Sequence, residues 1–180
     1  MPLVVTLCTG NAARSVMAGA LLDGAGGIVV MTRGTHVIEG LPMSWRTADA
    51  IEGLGLSTTG HRSRQLADDD LEHADLVLAM AGEHVEHVRR RHPTAAARTG
   101  TLKRLARDLP TLSGPLGERL AALRLDEVEL EPWEDVEDPA GGEADVFHQC
   151  AEEIHALLSP LLPLLRDEIA RDGAERGDAA

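Results

Sequence analysis

Three short aliphatic runs limit how this 180-residue chain can fold. Leu3-Val4-Val5-Thr6-Leu7, Ile28-Val29-Val30-Met31 and Asp75-Leu76-Val77-Leu78-Ala79-Met80 are continuous rather than alternating, as expected of strands buried on both faces. A helical pattern follows each. Val16, Met17, Ala20 and Leu21 form a stripe that Gly24 and Gly26-Gly27 terminate; Ser44 is placed to cap a helix carrying Trp45, Ala48, Ile51 and Leu54; and residues 83–91 read as a helix behind the third run. Strands alternating with helices predict an α/β fold, a doubly wound, four-stranded parallel sheet with helices on both faces. Residues 99–109 fit either a fourth strand or a helix. Residues 112–131 read as a surface helical excursion broken by Pro115 and Gly117, and the acidic 131–142 stretch as a loop. The last helix should place Val146, Cys150, Ile154, Leu157 and Leu161 inward and bend at Pro160 and Pro163.

An apolar content of 43% at this length suits one core, so one domain over residues 1–171 is expected, with a frayed tail at 172–180. Trp45, Trp133 and Phe147 are the whole aromatic set, which makes the core aliphatic. A formal charge of −13 opposes binding of nucleic acid or an anionic membrane by the surface as a whole, so any anion site must be local. The apolar start is too short for a signal peptide and no run reaches membrane-spanning length. A cytoplasmic location is expected. Two cysteines, Cys8 and Cys150, suit a reduced protein in which each has its own role.

The chemistry concentrates where the first strand ends. Cys8-Thr9-Gly10-Asn11-Ala12-Ala13-Arg14-Ser15 stands between a buried strand and a helix, where open α/β sheets bind ligands and a helix presents free N–H groups and the positive end of its dipole. A thiol there is favoured as thiolate, the nucleophilic form. Five residues between Cys8 and Arg14 are enough to curl the backbone into a nest around a tetrahedral anion. Arg14 can close it with a planar fork. Gly10 is expected to relieve the curvature, Asn11 to tolerate left-handed geometry and pin the loop, and Ser15 to cap the helix and donate towards the sulfur. A buried structural Cys beside a surface Arg is the competing explanation, and the polar Thr-Gly-Asn between them argues against it.

Strand, Cys-x5-Arg-Ser, helix resembles the low-molecular-weight protein tyrosine phosphatase family, which also contains arsenate reductases. The likeness extends to His61-Arg62-Ser63-Arg64-Gln65-Leu66, to the third strand and to Val136-Glu137-Asp138-Pro139, similar to the family's acid loop. The resemblance implies a phosphomonoesterase, a protein (tyrosine) phosphatase, acting on a phosphorylated protein or a small phosphorylated substrate and releasing inorganic phosphate. In that scheme Cys8 is the nucleophile that becomes phosphocysteine, residues 9–14 hold the phosphoryl oxygens, Asp138 is the general acid and base, and Asn11, Ser15 and His61 keep the loop in shape. No metal or other cofactor is implied. Asp135 is the alternative acid.

Several positions depart from the family pattern. Ala140, Gly141 and Gly142 stand where aromatic side chains usually wall a phosphotyrosine slot. Trp45 is a candidate for the other wall, or packs its own helix. Ala13 replaces a second cysteine and excludes redox protection by that route, and Val16 replaces a common Pro. Cys150 is read as a small buried hydrophobe. Arsenate reduction would need an external thiol, and a catalytically slow regulator that binds phosphoanions, or a phosphocarrier, are alternatives of other classes. His84, His87 and His92 with Glu83 and Glu86 read as a polar helix face rather than metal ligands, and Arg89-Arg90-Arg91 as a solvated face rather than a docking patch.

Overall fold

The computed structural model describes residues 1–57 and 60–166, so the tail expected at 172–180 lies outside the described residues. Strands β1 (Leu3–Cys8), β2 (Val29–Gly34), β3 (Leu76–Ala79) and β4 (Thr99–Thr101) form one parallel sheet in the order β2-β1-β3-β4. β1 pairs on both sides, with Val4 opposite Val30 and Leu76. The chain leaves β1 in one direction to reach β2 and comes back past it to reach β3. That reversal opens a crevice at the carboxyl end of β1, the position occupied by Cys8.

The pleat of the central strands divides the core in two. Val4, Cys8, Leu76 and Leu78 face helices α1 (Arg14–Ala25), α2 (Trp45–Gly53), α5 (Leu102–Asp108) and α7 (Ala144–Leu158). Val5, Leu7 and Val77 face the other layer, built on α3 (Asp68–Glu72) and α4 (Gly82–Arg91) through Leu71 and Val88. Both faces of β1 and β3 are covered, which explains why their runs are apolar without alternation, whereas β2 at the sheet edge is only partly buried, with Val29 44% exposed, contrary to expectation. Gly19 lets α1 lie close on the sheet, since a Cβ there would come within 2.4 Å of Thr32 Cγ2.

Both readings of residues 99–109 hold in sequence: β4 is three residues long, and Thr101 at its end caps α5 by accepting the Arg104 N–H at 3.3 Å. The 112–131 excursion contains α6 (Leu116–Leu123), with Pro115 at its N-cap and Gly117 inside the helix rather than breaking it. It is not a surface element alone, because Leu116, Leu120 and Leu125 enter the main core. The apolar stripe of α7 is offset in its first turn, while Cys150, Ile154 and, beyond the helix, Leu161 are buried as expected. Phe147, Cys150, Ala151, Ile154 and Leu158 are buried, whereas Val146 in the first turn is 38% exposed. The helical period counted from Phe147 gives positions 151, 154 and 158, which accounts for the shift. The short α3 was not anticipated. No helix among the described residues is long and apolar enough to cross a membrane.

Candidate active site

β1 delivers Cys8 to the crevice at 3% exposure, and the chain curls through residues 9–13 into α1, which begins at Arg14. The loop is held from outside by its carbonyls. The Asn11 carbonyl accepts from His61 Nε2 at 2.8 Å and Ser63 Oγ at 3.0 Å, the Ala12 carbonyl from Thr47 Oγ1 at 2.9 Å, and the Thr9 carbonyl from the His36 N–H at 3.0 Å. With the carbonyls turned outward, the N–H groups are left for the concave side. Among the described residues no protein acceptor takes the backbone N–H of residues 10–13. That is the arrangement of an anion nest.

The tight bend is carried by Asn11, at φ 50°, rather than by Gly10. A Cβ at Gly10 would meet nothing within 4 Å, so the expectation that glycine is needed there is not met. The constrained glycine is Gly34, where a Cβ would lie 2.6 Å from the Thr9 carbonyl and 3.0 Å from the Asn11 nitrogen. Asn11 also ties the loop together through its side chain. Its Nδ2 donates to Ser15 Oγ at 3.0 Å and its Oδ1 accepts the Arg64 N–H at 2.9 Å. Ser15 Oγ in turn lies 3.0 Å from Cys8 Sγ. With Asn11 Nδ2 donating to that oxygen, the Ser15 hydroxyl hydrogen is free to point at the sulfur and stabilise a thiolate. Burial foremost lowers His61 below the ordinary imidazole range, against the raising effect of its bond to the Asn11 carbonyl. Its ring is therefore neutral and donates from Nε2.

Arg14 connects the loop to a second segment. Its Nη1 donates to the Val136 carbonyl at 2.9 Å and its Nη2 to Asp138 Oδ2 at 2.6 Å. The acid loop is anchored at several points. The Val136 N–H donates to the Met80 carbonyl at 2.8 Å, and Asp135 Oδ1 accepts the Gly82 N–H at 2.7 Å. Glu134, fully buried, accepts from Thr101 Oγ1 at 2.6 Å and Arg104 Nε at 2.8 Å. Burial alone would raise that carboxyl, but the bonds from Arg104 and Thr101 prevail and hold it below the ordinary range. The ends of β3 and β4 thus fix the place of Asp138, whose side chain keeps 46% exposure. Asp135, the alternative acid, is occupied in holding the first turn of α4.

Trp45 is 63% exposed at the start of α2, with the Arg46 guanidinium 5.0 Å from its ring centre. It does not pack its helix, and Thr47 two residues later ties that helix end to the loop. Cys150 behaves as expected of a buried hydrophobe: its thiol lies against the Glu137 carbonyl at 3.8 Å, and burial pushes it up to about 12. Both cysteines are free. The helix face read as polar is partly wrong. His84 is fully buried, with Nε2 3.0 Å from Thr9 Oγ1 and Glu83 Oε1 3.1 Å from the same hydroxyl. Burial first, and then the nearby Arg14, His87 and His36, lower His84 to about 3. No acceptor or donor meets its buried Nδ1 among the described residues. Its position just beyond the carboxyl end of β3 was the signal available in the sequence. Arg89 is likewise not solvated, since its Nη2 donates to the Leu125 and Val128 carbonyls at 2.6 and 2.7 Å. No group of His, Cys, Asp and Glu among the described residues is arranged to hold a metal ion.

Comparison with known proteins agrees with this geometry. The family model described as low molecular weight phosphotyrosine protein phosphatase matches residues 3–112, which include the Cys8 loop and His61, while Asp138 lies beyond the matched stretch. The chain is 30% identical over 167 residues to a protein-arginine-phosphatase of Geobacillus stearothermophilus, covering 92% of this chain and 97% of the relative. It is 30% identical over 177 residues to a low molecular weight protein-tyrosine-phosphatase of Streptomyces coelicolor, covering 92% and 94%. The solved arginine phosphatase from Geobacillus stearothermophilus superposes with a TM-score of 0.76 at 28% identity, covering 95% of this chain and 97% of that one.

Proposed function

Because the chain belongs to the low molecular weight phosphotyrosine protein phosphatase family, and so is a cysteine-dependent phosphatase, we propose that it dephosphorylates protein side chains through Cys8, Arg14 and Asp138. The observation that carries this assignment is the Arg14 bridge, which joins the nucleophile's loop to a loop that carries an exposed acid, Asp138. Cys8 thiolate attacks phosphorus in line, forming a P–S bond as the bond to the leaving atom breaks. Protonated Asp138 gives its proton to that leaving atom. The N–H groups of residues 10–13 and the Arg14 fork hold the three equatorial oxygens and offset the charge that builds on them. Asp138, now a carboxylate, takes a proton from water as the water attacks phosphorus. The P–S bond breaks, inorganic phosphate leaves and the thiolate is restored.

Between phosphotyrosine and phosphoarginine, the acid loop favours phosphoarginine. Residues 140–142 carry no side chain larger than a methyl group after Pro139, so one wall of an aromatic slot is missing, and the exposed Glu137 carboxylate beside the acid suits a cationic guanidinium leaving group better than a phenol. Cys8→Ser is expected to abolish turnover of a small aryl phosphate while vanadate still binds. Full activity in that variant would overturn the assignment. In the wild-type protein, vanadate binding without turnover would indicate the phosphoanion-binding regulator instead.

A further inference from the structure

A second concave surface adjoins the phosphate loop. It is a groove of about 820 Å³ between the segment after β2 and the outer face of α4, lined among others by His36, Val37, Ile38, His87, Arg91 and His92. It is continuous with the loop through the backbone. The His36 N–H donates to the Thr9 carbonyl, and His84, three residues before His87 on α4, bonds the Thr9 hydroxyl.

The chemistry of this lining contrasts with the rest of the surface. The chain carries −13, yet the groove is lined by three imidazoles and a guanidinium and by no carboxylate. Two acids beside it are engaged, Asp68 with Oδ1 2.5 Å from His92 Nδ1 and Glu39 accepting the Gln65 N–H at 2.6 Å, while Asp68, Asp69 and Glu72 line an adjoining hollow that shares Arg91 and His92. Several donors remain free. His36 uses only Nδ1, on Thr35 Oγ1, while neither the His87 ring nor the Arg91 guanidinium has a hydrogen-bond or ion-pair partner among the described residues. The rings lie close together, His36 to His87 at 5.6 Å and His87 to His92 at 5.9 Å between centroids. Burial foremost, then the nearby His92, His36, Arg91 and Arg90, lower His87. An anion placed among these groups would gain Arg91's charge and the free N–H donors at once.

We propose that this groove is a docking subsite for an acidic stretch of the phosphorylated protein substrate, which Arg91, His87 and His36 hold while the phosphoryl group occupies the Cys8 nest. The inference rests on the assignment of the chain as a protein phosphatase.

The test uses the purified full chain with two phosphopeptides of the same phosphorylated residue, one flanked by Glu and Asp and the other by Gln and Asn. Wild-type protein is expected to favour the acidic peptide in kcat/KM by roughly fivefold to tenfold, mainly through KM, the sum of two or three part-exposed charge contacts. The preference should shrink as salt is raised. The double variant Arg91→Ala, His87→Gln should bring the two peptides within about twofold of each other while turnover of a small aryl phosphate stays at the wild-type level. Equal kcat/KM for the two peptides in the wild type, or an undiminished preference in the variant, overturns the subsite while leaving the phosphatase assignment intact. Failure of the wild type to turn over the aryl phosphate overturns both.

Discussion

Replacing Asn11 separates the work its side chain does from the work its backbone does. The residue is fully buried at φ 50°, donates to Ser15 Oγ and accepts the Arg64 N–H. Asn11→Ala deletes two hydrogen bonds, at about 1 kcal/mol each with one buried polar group left unpaired. It also places a Cβ without a compensating amide in the left-handed region, at about 1 kcal/mol more. The expected loss is about 3 kcal/mol, which at a urea slope near 2 kcal/mol/M moves the midpoint down by roughly 1.5 M. Asn11→Gly removes the same bonds but accepts the backbone, and should fall about 1 kcal/mol short of the Ala variant's loss. Urea unfolding of the three proteins, followed by far-UV circular dichroism, measures both differences. Both variants should lose more than about tenfold in kcat/KM, because the nest's N–H groups no longer converge. An Asn11→Ala protein within about 0.5 kcal/mol of wild type, or one no less stable than Asn11→Gly, refutes this account of the loop.

Asp138→Asn keeps the side-chain shape but cannot donate an acid proton, so turnover of a substrate with a poor leaving group should drop roughly 10²–10⁴-fold, and less for an activated aryl phosphate; equal losses for both would remove the general-acid role. His84 gives a stability effect with a definite sign. Its folded value of about 3 lies below the ordinary 6.5, so the unfolded chain binds the extra proton. The contribution is complete above about pH 6.5 and is lost as pH falls towards 3, with about 2 kcal/mol gone by pH 5. His61 and His87 are lowered too and act in the same sense. Urea titrations of wild type and His84→Gln at pH 7, 6 and 5 should show a shallower decline in the variant, and identical slopes would contradict the burial argument. With its thiol raised to about 12, Cys150 should resist alkylation at neutral pH while Cys8 reacts, so mass spectrometry should find one labelled site, and label on Cys150 in the folded protein would count against its inert packing.

The centre of the sheet was legible because β1 and β3 are buried on both faces and so are written as unbroken aliphatic runs, while the partly exposed edge strand β2 and the Thr-Gly-Thr of β4 carry weaker signals. The Cys8 loop was legible because its residue types suit nothing else at the end of such a strand. Other features depend on contacts between segments far apart in the chain. His84 looks like one of several polar residues on α4, and only the approach of Thr9, 75 positions earlier, makes it part of the loop's support. Glu134 reads as one acid in an acidic stretch, yet Thr101 and Arg104 draw it into full burial and thereby fix the acid loop. The offset in the first turn of α7 escaped because Val146 and Phe147 are adjacent and both apolar, and which of them turns inward is settled by the packing of α7 against α1 and α2. Gly34 could not be told from an ordinary strand-ending glycine without the Thr9 carbonyl beside it.

The central claim is a covalent phosphoryl group on Cys8. Rapid acid quench of the protein during turnover of an aryl phosphate, followed by proteolysis and mass spectrometry, tests it directly. The account predicts one phosphoryl group on the peptide containing Cys8, formed with a burst of the released phenol and absent in Cys8→Ala. Phosphorylation of a different residue, or steady turnover with no phosphorylated peptide and no burst, would contradict it.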